Sequence, residues 1–202
     1  MLTAELLARP LLSLLLGYLL GSIPFGVVLT RVAGAGDLRR IGSGNIGATN
    51  VLRTGRKGLA ALTLLLDGLK GTAAVLLVGA LSPGHEALAA VGALLGHLYP
   101  VWLRFRGGKG VATLFGIMAG MHWPSSLVYA AIWLGGLGLT RYSSVAGMLA
   151  ALSAPVAAAL LGRFDLTLLY LGFALLVLWK HRANLERLLG GTEPRLGEKR
   201  DA

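Results

Sequence analysis

Residues 10–30 read PLLSLLLGYLLGSIPFGVVLT and contain no charged side chain. An apolar helix of about 20 residues can cross the hydrocarbon core of a bilayer, which is about 30 Å thick. A cleaved signal peptide is the alternative, because residues 33–35 (AGA) resemble a cleavage site. The run is long for such a peptide, however, and Glu5 interrupts the basic start that one needs. We therefore expect the first transmembrane helix here.

Six further apolar segments follow along the chain. The segment at 110–121 is short for a span, and the sequence HWPSS at 122–126 separates it from the next, so we expect a short or re-entrant helix there. The pattern predicts an all-α polytopic membrane protein of about seven transmembrane helices. We expect one domain over residues 1–202, with a short mobile cytoplasmic tail from about residue 191. The six segments are 59–81, 86–104, 110–121, 124–140, 142–162 and 164–180.

The composition excludes several classes of protein. Of the 202 residues, 55% are hydrophobic and only 14% are charged, and the mean hydropathy is +0.71. Soluble domains carry about 25% charged residues, so this chain has too few to coat a globule. It contains no cysteine, which excludes disulfides, thiolate catalysis, iron–sulfur clusters and cysteine-ligated zinc.

The formal net charge of +10 raises the question of nucleic-acid binding. A nucleic-acid protein clusters its basic residues on a soluble face. Here 16 of the 19 Lys and Arg, Lys199 and Arg200 among them, occupy loops that seven spans would place on one side of the membrane. Basic loops are cytoplasmic, so we expect the N-terminus outside, the C-terminus in the cytoplasm and no nucleic-acid partner.

The first polar segment, residues 41–53, reads IGSGNIGATNVLR. Glycine lets backbone N–H groups approach an anion, and hydroxyl, amide and guanidinium groups add donors. The segment contains G-x-G-x-x-G with Asp67 about 20 residues on, but that dinucleotide fingerprint requires a βαβ unit, and Asp67 lies inside an apolar span. A flexible turn is the alternative to an anion site. The candidate binding residues are Ser43, Gly44, Asn45, Thr49, Asn50 and Arg53.

The second polar segment, residues 104–113, reads RFRGGKGVAT and precedes the short apolar segment. A Gly-Gly-Lys-Gly turn at a helix N-terminus combines backbone N–H groups, the positive end of the helix dipole and an ammonium group. It is not a P-loop, because Gly110 follows Lys109 where that motif has Ser or Thr. A basic anchor at the membrane surface is the alternative. The candidate phosphate-binding residues are Gly107, Gly108, Lys109, Gly110 and Thr113.

The third polar segment, residues 180–193, reads KHRANLERLLGGTE and is predicted to be a helix that leaves the last span. His181 and Asn184 are three residues apart and therefore share a helical face. A juxtamembrane anchor explains the segment equally well.

Two charged residues, Asp67 and Lys70, lie three apart inside the second apolar segment. Charges inside a membrane are costly and are usually paired or functional, so either a structural ion pair or a substrate role fits them. The histidines at 85, 97 and 122 are scattered, and we expect no metal site and no cofactor.

Small residues recur four apart at three places in the apolar segments. This spacing lets helices approach closely in a membrane, where hydrophobicity does not drive helix association. The pairs are Gly17 and Gly21, Gly92 and Gly96, and Gly116 and Gly120.

Taken in order and spacing, these segments resemble the bacterial acyl-phosphate glycerol-3-phosphate acyltransferases. The resemblance covers nearly the whole chain, and Leu185, where the family is expected to have Ile, is a mild departure. It implies a seven-helix fold, a bacterial inner-membrane location and a cytoplasmic active site. It rests on residues 21–26 (GSIPFG), residues 42–53, Asp67 with Lys70 and Gly71, residues 107–113, residues 141–144, and His181, Arg182, Asn184, Arg187 and Glu193.

The resemblance implies acyl transfer from acyl phosphate to the 1-hydroxyl of sn-glycerol 3-phosphate, giving lysophosphatidate and inorganic phosphate. The expected partners are these substrates and membrane lipid, with neither coenzyme A nor acyl carrier protein as direct donor. A transporter of a phosphorylated solute is the competing class, but we find no internal repeat for it. A structural scaffold would leave the polar segments unexplained.

The same resemblance suggests roles for the candidate residues. Lys109 and the amides of residues 107–110 would hold phosphate, while Arg53 with Ser43 and Thr49 would hold a second anionic group. His181 and Asn184 would orient glycerol 3-phosphate, and Ser144 would assist binding. Direct transfer without a covalent enzyme intermediate is expected, since neither Cys nor a Ser–His–carboxylate set is apparent. The base is either His181 or the substrate's own phosphate.

Overall fold

The computed structural model describes residues 2–198, with side chains from residue 7 onward. The described chain is helical, and Lys199 and Arg200 lie outside it. Short 3₁₀ turns at Leu38–Arg40 and Val101–Leu103 interrupt the loops. The α-helices are α1 Leu2–Gly21, α2 Phe25–Val32, α3 Ala48–Leu52, α4 Lys57–Leu81, α5 Glu86–Leu98, α6 Val111–Thr140, α7 Ser143–Leu160, α8 Phe164–Lys180 and α9 Arg182–Leu189.

Five helical stretches of the described chain are long and apolar enough to cross a membrane, or six when α8 and α9, bent by 56°, form one span. This confirms the predicted all-helical membrane protein. The count of seven stays a prediction, because the segments predicted at 110–121 and 124–140 are two parts of α6, broken at His122 (φ −158°, ψ 88°). Pro124 lacks a backbone N–H and clashes with the preceding turn, which explains a break at that point.

The chain forms two compact units, the first ending at Trp123 and the second beginning at Pro124. In the first unit α1 packs against α5 and α4. A Cβ atom at Gly17 or Gly21 would overlap the backbone of Ala89 or Ala93 in α5. The same close approach to a neighbouring helix occurs at Gly92, Gly96, Gly116 and Gly120, which confirms the small-residue prediction.

In the second unit α7 and α8 form an antiparallel hairpin. The buried face of α7 consists mainly of alanine, including Ala150, Ala154 and Ala158, while α8 buries Tyr170 and Phe173. Small side chains on one helix leave room for large ones on the other, which allows dense packing without voids. The polar residues of this unit come from the start of α7 and from the segment after α8, and the hairpin holds these two segments in place.

Candidate functional site

Asn50 organises the first polar loop. Its side chain is 1% exposed, and its Nδ2 group donates to the carbonyls of Leu38, Ile41 and Asn45 at 3.0, 2.9 and 2.9 Å. Its Oδ1 accepts from the Ser43 amide at 3.2 Å. The amide group is therefore engaged in shaping the loop, and the expected contact of Asn50 with substrate stays a prediction.

The other candidate binding residues of the first polar loop lie at or near the protein surface. Ser43, Gly44 and Arg53 are exposed, whereas Asn45 and Thr49 are half-buried. A Cβ atom at Gly42 would lie 2.9 Å from Cδ of Arg53, so the arginine side chain runs directly alongside this glycine. A guanidinium held next to exposed backbone is suited to bind an anionic oxygen.

The second polar loop connects α5 to α6, and its glycines pack against the end of α5. The Gly107 amide donates to the carbonyl of Leu98 at 3.2 Å, and the Gly108 amide donates to that of His97 at 3.0 Å. A Cβ atom at Gly107 would overlap the His97 carbonyl, and one at Gly108 would overlap the His97 ring. These two amides were expected to hold phosphate. In the structure they donate to carbonyls of α5 and both glycines pack closely, and their contact with phosphate stays a prediction.

The remaining part of this motif lies at the N-terminus of α6. Gly110, with φ of +88°, turns the chain into the helix that begins at Val111, and Lys109 is half-buried beside it. The first N–H groups of a helix lack intrahelical acceptors and carry the positive end of its dipole. Thr113 is fully buried and donates to the Asp67 carbonyl at 3.0 Å, and its expected contact with substrate stays a prediction.

The charged residues of α4 form a buried ion pair. Lys70 Nζ lies 2.6 Å from Asp67 Oδ1, and the two side chains are 2% and 5% exposed. Lys70 also donates to the carbonyl of Ile23 at 2.8 Å. His97 Nδ1 lies 3.8 Å from the same carboxylate oxygen. Both charges thus have protein partners, as the ion-pair alternative requires.

Glu193 is the centre of the polar network in the second unit. Its Oε1 accepts from Ser144 Oγ at 2.7 Å and from Asn184 Nδ2 at 2.6 Å. Its Oε2 accepts from Arg187 Nε at 2.7 Å. Burial by itself would raise the pKa of Glu193, but these hydrogen bonds and the charge of Arg187 hold that pKa below its usual value. The hydroxyl of Ser144 is committed to this carboxylate.

Glu193 falls in the segment from residue 191 that we expect to be a tail, and it is not among the candidate residues listed above. In the structure Glu193 is 9% exposed, and the residues that follow it also have contacts within the protein. The Leu196 amide donates to the Arg141 carbonyl at 2.7 Å, and the Arg195 guanidinium lies 5.4 Å from the centre of the Tyr142 ring. The signal available in the sequence was an isolated acid nine residues after Asn184 in a chain with only 9 acidic residues.

His181 occupies the bend between α8 and α9. It is 2% exposed, and Nδ1 lies 2.8 Å from the Val177 carbonyl. Because a carbonyl oxygen only accepts, Nδ1 is assigned as the donor of this hydrogen bond. The predicted helix after the last span is confirmed as α9, which places Asn184 one turn beyond His181.

The described residues contain no group of three or more His, Asp or Glu that could hold a metal ion. Their polar side chains form two sets. One, in the first unit, contains the first polar loop and the start of α6, and the other, in the second unit, contains Ser144, His181, Asn184, Arg187 and Glu193.

Fold and polar groups together define an integral, multi-pass helical membrane protein whose loops carry donors for anionic groups. A family model for glycerol-3-phosphate acyltransferase matches residues 11–191. The glycerol-3-phosphate acyltransferase of Mesorhizobium japonicum is 57% identical over 189 residues, covering 94% of this chain and 97% of the relative. That of Brucella anthropi is 53% identical over 187 residues and covers 93% of each.

Solved structures agree with these relatives. A crystal structure of PlsY, an integral membrane glycerol 3-phosphate acyltransferase, in its glycerol 3-phosphate form has a TM-score of 0.87 and 36% identity, covering 93% of this chain and 96% of that one. The lysophosphatidic acid form has a TM-score of 0.85 and 35% identity, covering 93% and 95%. The chain belongs to the glycerol-3-phosphate acyltransferase family, which confirms the resemblance drawn from its sequence.

Proposed function

We propose that this acyltransferase moves a fatty acyl group from acyl phosphate to the 1-hydroxyl of sn-glycerol 3-phosphate. The products are lysophosphatidate (1-acyl-glycerol 3-phosphate) and inorganic phosphate, and the reaction is the first acylation step of phospholipid synthesis. The observation that carries the proposal is the nearly full-length agreement with an acyltransferase structure in its glycerol 3-phosphate form. The acyl phosphate donor, with neither coenzyme A nor acyl carrier protein in its place, rests on the family resemblance.

The transfer is a direct displacement at the acyl carbon. The C1 oxygen of glycerol 3-phosphate forms a bond to the carbonyl carbon, and the bond from that carbon to the phosphate oxygen breaks. The phosphate leaves with the electron pair, while the hydroxyl proton goes to a base. Two bound, oriented substrates gain effective molarity that can supply about 7–11 kcal/mol of the barrier, so positioning is the main task of the protein.

Lys109 and the first turn of α6 are the proposed site for the phosphate of the donor. Negative charge increases on that phosphate as it leaves, and an ammonium at the positive end of a helix dipole stabilises this charge. The half-buried position of Lys109 at the start of a 30-residue helix supports this role. Gly110 permits the turn that brings the lysine there.

The first polar loop is the proposed site for a second anionic group. Arg53 supplies the charge and a fork of donors. Ser43, Gly44, Asn45 and Thr49 lie in the same exposed or half-buried loop and supply hydroxyl, backbone and amide groups.

His181 and Asn184 are the proposed contacts to glycerol 3-phosphate in the second unit. Glu193 accepts from Asn184 Nδ2, which fixes the orientation of that amide and directs its carbonyl oxygen away from the carboxylate. The ring of His181 can accept the hydroxyl proton, and the phosphate of the donor is the alternative base. His181→Gln separates the two routes, because a histidine base predicts loss of the acidic limb of the pH–rate profile, whereas a phosphate base leaves it in place.

The proposed topology has seven spans, counted with the two parts of α6 separately, in a bacterial inner membrane. The N-terminus is outside, and the polar loops face the cytoplasm, as the basic loops require. The absence of native cysteine makes single-cysteine labelling clean. A membrane-impermeant maleimide should label Ala87→Cys in intact spheroplasts and Arg40→Cys only after permeabilisation, and the reverse pattern would overturn this orientation.

The reaction is tested with purified protein in detergent, supplied with acyl phosphate and glycerol 3-phosphate only. Equal amounts of inorganic phosphate and lysophosphatidate support the proposal. Phosphate without lysophosphatidate indicates a hydrolase, and activity only with acyl-coenzyme A or acyl carrier protein overturns the donor. A transporter forms no product in detergent, since no second compartment exists there.

A further inference from the structure

The ion pair in α4 lies where several segments of the first unit meet, and it has contacts beyond its own helix. Lys70 reaches the Ile23 carbonyl at the break between α1 and α2, at 2.8 Å. Asp67 accepts through its backbone carbonyl from Thr113 at the start of α6, at 3.0 Å. Its carboxylate lies 3.8 Å from His97 at the end of α5. We infer that Asp67 and Lys70 are positioning residues that hold the first polar loop and the start of α6 in one arrangement.

The contacts on the lysine side lead to the first polar loop. Lys70 fixes the turn from which α2 begins, and its ammonium lies 5.8 Å from the centre of the Phe25 ring, within cation–π range. In the next residue, Gly26, a Cβ atom would overlap the carbonyl of Ile46 in the middle of the loop. A displacement of α2 would therefore be passed directly to this loop.

The contacts on the aspartate side lead to the second polar loop. Thr113 ties the first turn of α6 to the backbone of Asp67, and His97 holds Gly108 through both its carbonyl and its ring. Lys109, the proposed phosphate ligand, lies between these two attachment points in the chain.

The two loops also share an apolar contact. Val27 of α2, Ile46 of the first loop and Leu103 of the second form one buried cluster. Residues Arg104 and Phe105, which follow it, have φ of 52° and 61°. Left-handed backbone at side-chain-bearing residues persists only where the surroundings determine it, so the second loop is held in a specific, strained conformation.

A buried ion pair is poor evidence of stabilisation by itself, because an apolar pair of similar volume is often as stable or more stable. An apolar pair could not supply the side-chain contacts to the Ile23 carbonyl and to His97, whereas the Asp67 carbonyl that accepts from Thr113 is backbone and would remain. These contacts favour the structural pair over the substrate ligand, and the pair then acts on the reaction through the loops. The inference rests on the proposed function only in assigning phosphate binding to these loops.

The test compares single and double neutral variants. Asp67→Asn and Lys70→Met each leave one charge buried and unpaired, so both should lower Tm and kcat/KM. The double variant Asp67→Asn/Lys70→Met removes both charges and should recover most of the Tm. Its kcat/KM should stay at least about tenfold below wild type, chiefly through a raised KM for acyl phosphate. Recovery of kcat/KM together with Tm would show a role in folding only and would overturn the inference.

A matched pair of threonines tests one contact alone. Thr113→Val removes the bond to Asp67, whereas Thr72→Val removes an equivalent bond of 2.8 Å between α4 and α6, to the Gly116 carbonyl. We expect a raised KM for acyl phosphate in Thr113→Val and a normal KM in Thr72→Val. Equal kinetics in the two variants, at equal Tm, would contradict the inference.

A phosphate-binding measurement, which requires no turnover, separates this inference from the proposed function. Inorganic phosphate that binds the folded protein raises its Tm by mass action. We expect this rise in wild type and a smaller one in Asp67→Asn/Lys70→Met. Wild type that binds phosphate but forms no lysophosphatidate would refute the proposed function alone, whereas an equal Tm rise in both proteins would refute the positioning role.

Discussion

Glu193→Gln is the substitution that examines the second polar set most directly. The carboxylate accepts three hydrogen bonds, from Ser144, Asn184 and Arg187. Glutamine has the same shape, but one of its two ends is an NH₂ donor, so at one end a donor must face a donor. The substitution therefore disrupts the network without creating a cavity.

The magnitude follows from these contacts. A hydrogen bond to a charged group contributes about 1.5–3 kcal/mol, and the Arg187 side chain is 34% exposed, which reduces its share. We expect the free energy of unfolding to fall by about 2 kcal/mol. In a chain of this size that lowers Tm by about 4–8 °C. Because Glu193 orients Asn184, kcat/KM for glycerol 3-phosphate should fall at least about tenfold, which is about 1.4 kcal/mol of transition-state stabilisation.

The assay is thermal unfolding in detergent together with initial rates measured well below both Tm values. The matched control is Glu186→Gln, because Glu186 is an exposed acid on the same short helix, α9, and should change neither quantity. A Glu193→Gln protein with wild-type Tm and wild-type kcat/KM would refute the reasoning. A lowered Tm with unchanged kinetics would leave Glu193 a purely structural residue.

Four further outcomes are expected. Lys109→Ala should nearly abolish acyl transfer with little change in Tm. The control Lys57→Ala, at the exposed start of α4, should retain acyl transfer. Substantial activity in Lys109→Ala would remove Lys109 from the site. Asn184→Ala should reduce kcat/KM at least about tenfold, about 1.4 kcal/mol, and a neutral result would exclude Asn184. Asn50→Ala should lower Tm and expose residues 38–45 to limited proteolysis, since the carbonyls of Leu38, Ile41 and Asn45 lose their common donor. Unaltered cleavage would contradict the organising role of Asn50. The pKa of Glu193 is lowered in the folded state, so the stability that its carboxylate contributes is present above the usual glutamate pKa and is lost as pH falls through the folded-state pKa. Acid should therefore lower the Tm of wild type more than that of Glu193→Gln, and parallel Tm curves would refute this.

Hydropathy was sufficient to predict the helices, because each one that crosses a membrane must be apolar over nearly its whole length. The sequence 164–180 was predicted with the bounds that α8 has. The break near Pro124 could also be predicted, since proline disrupts a helix through its own ring and its missing N–H. The number of spans could not, because a 12-residue apolar piece becomes a separate span or part of a kinked helix depending on its neighbours.

The polar loops could be located from the sequence, but the protein partners of individual residues in them could not. Asn50, Thr113 and the amides of Gly107 and Gly108 have the right chemistry to bind phosphate, and the fold gives them carbonyl partners. Glu193 was missed for the converse reason, because a charged residue in a polar tail gives no local sign that it is buried. Such partners come from segments far away in the sequence, and no spacing rule reports them.

The contact between Gly108 and the His97 ring changes how mutational scans of this loop should be interpreted. Alanine at this position would push against an imidazole that also borders the α4 ion pair, and thus would shift Lys109 without removing any group that touches substrate. A Gly108→Ala enzyme with weakened phosphate affinity would look like a lost ligand. The cause would be crowding of the His97 ring, which lies between this glycine and the Asp67 carboxylate, with every phosphate ligand still present.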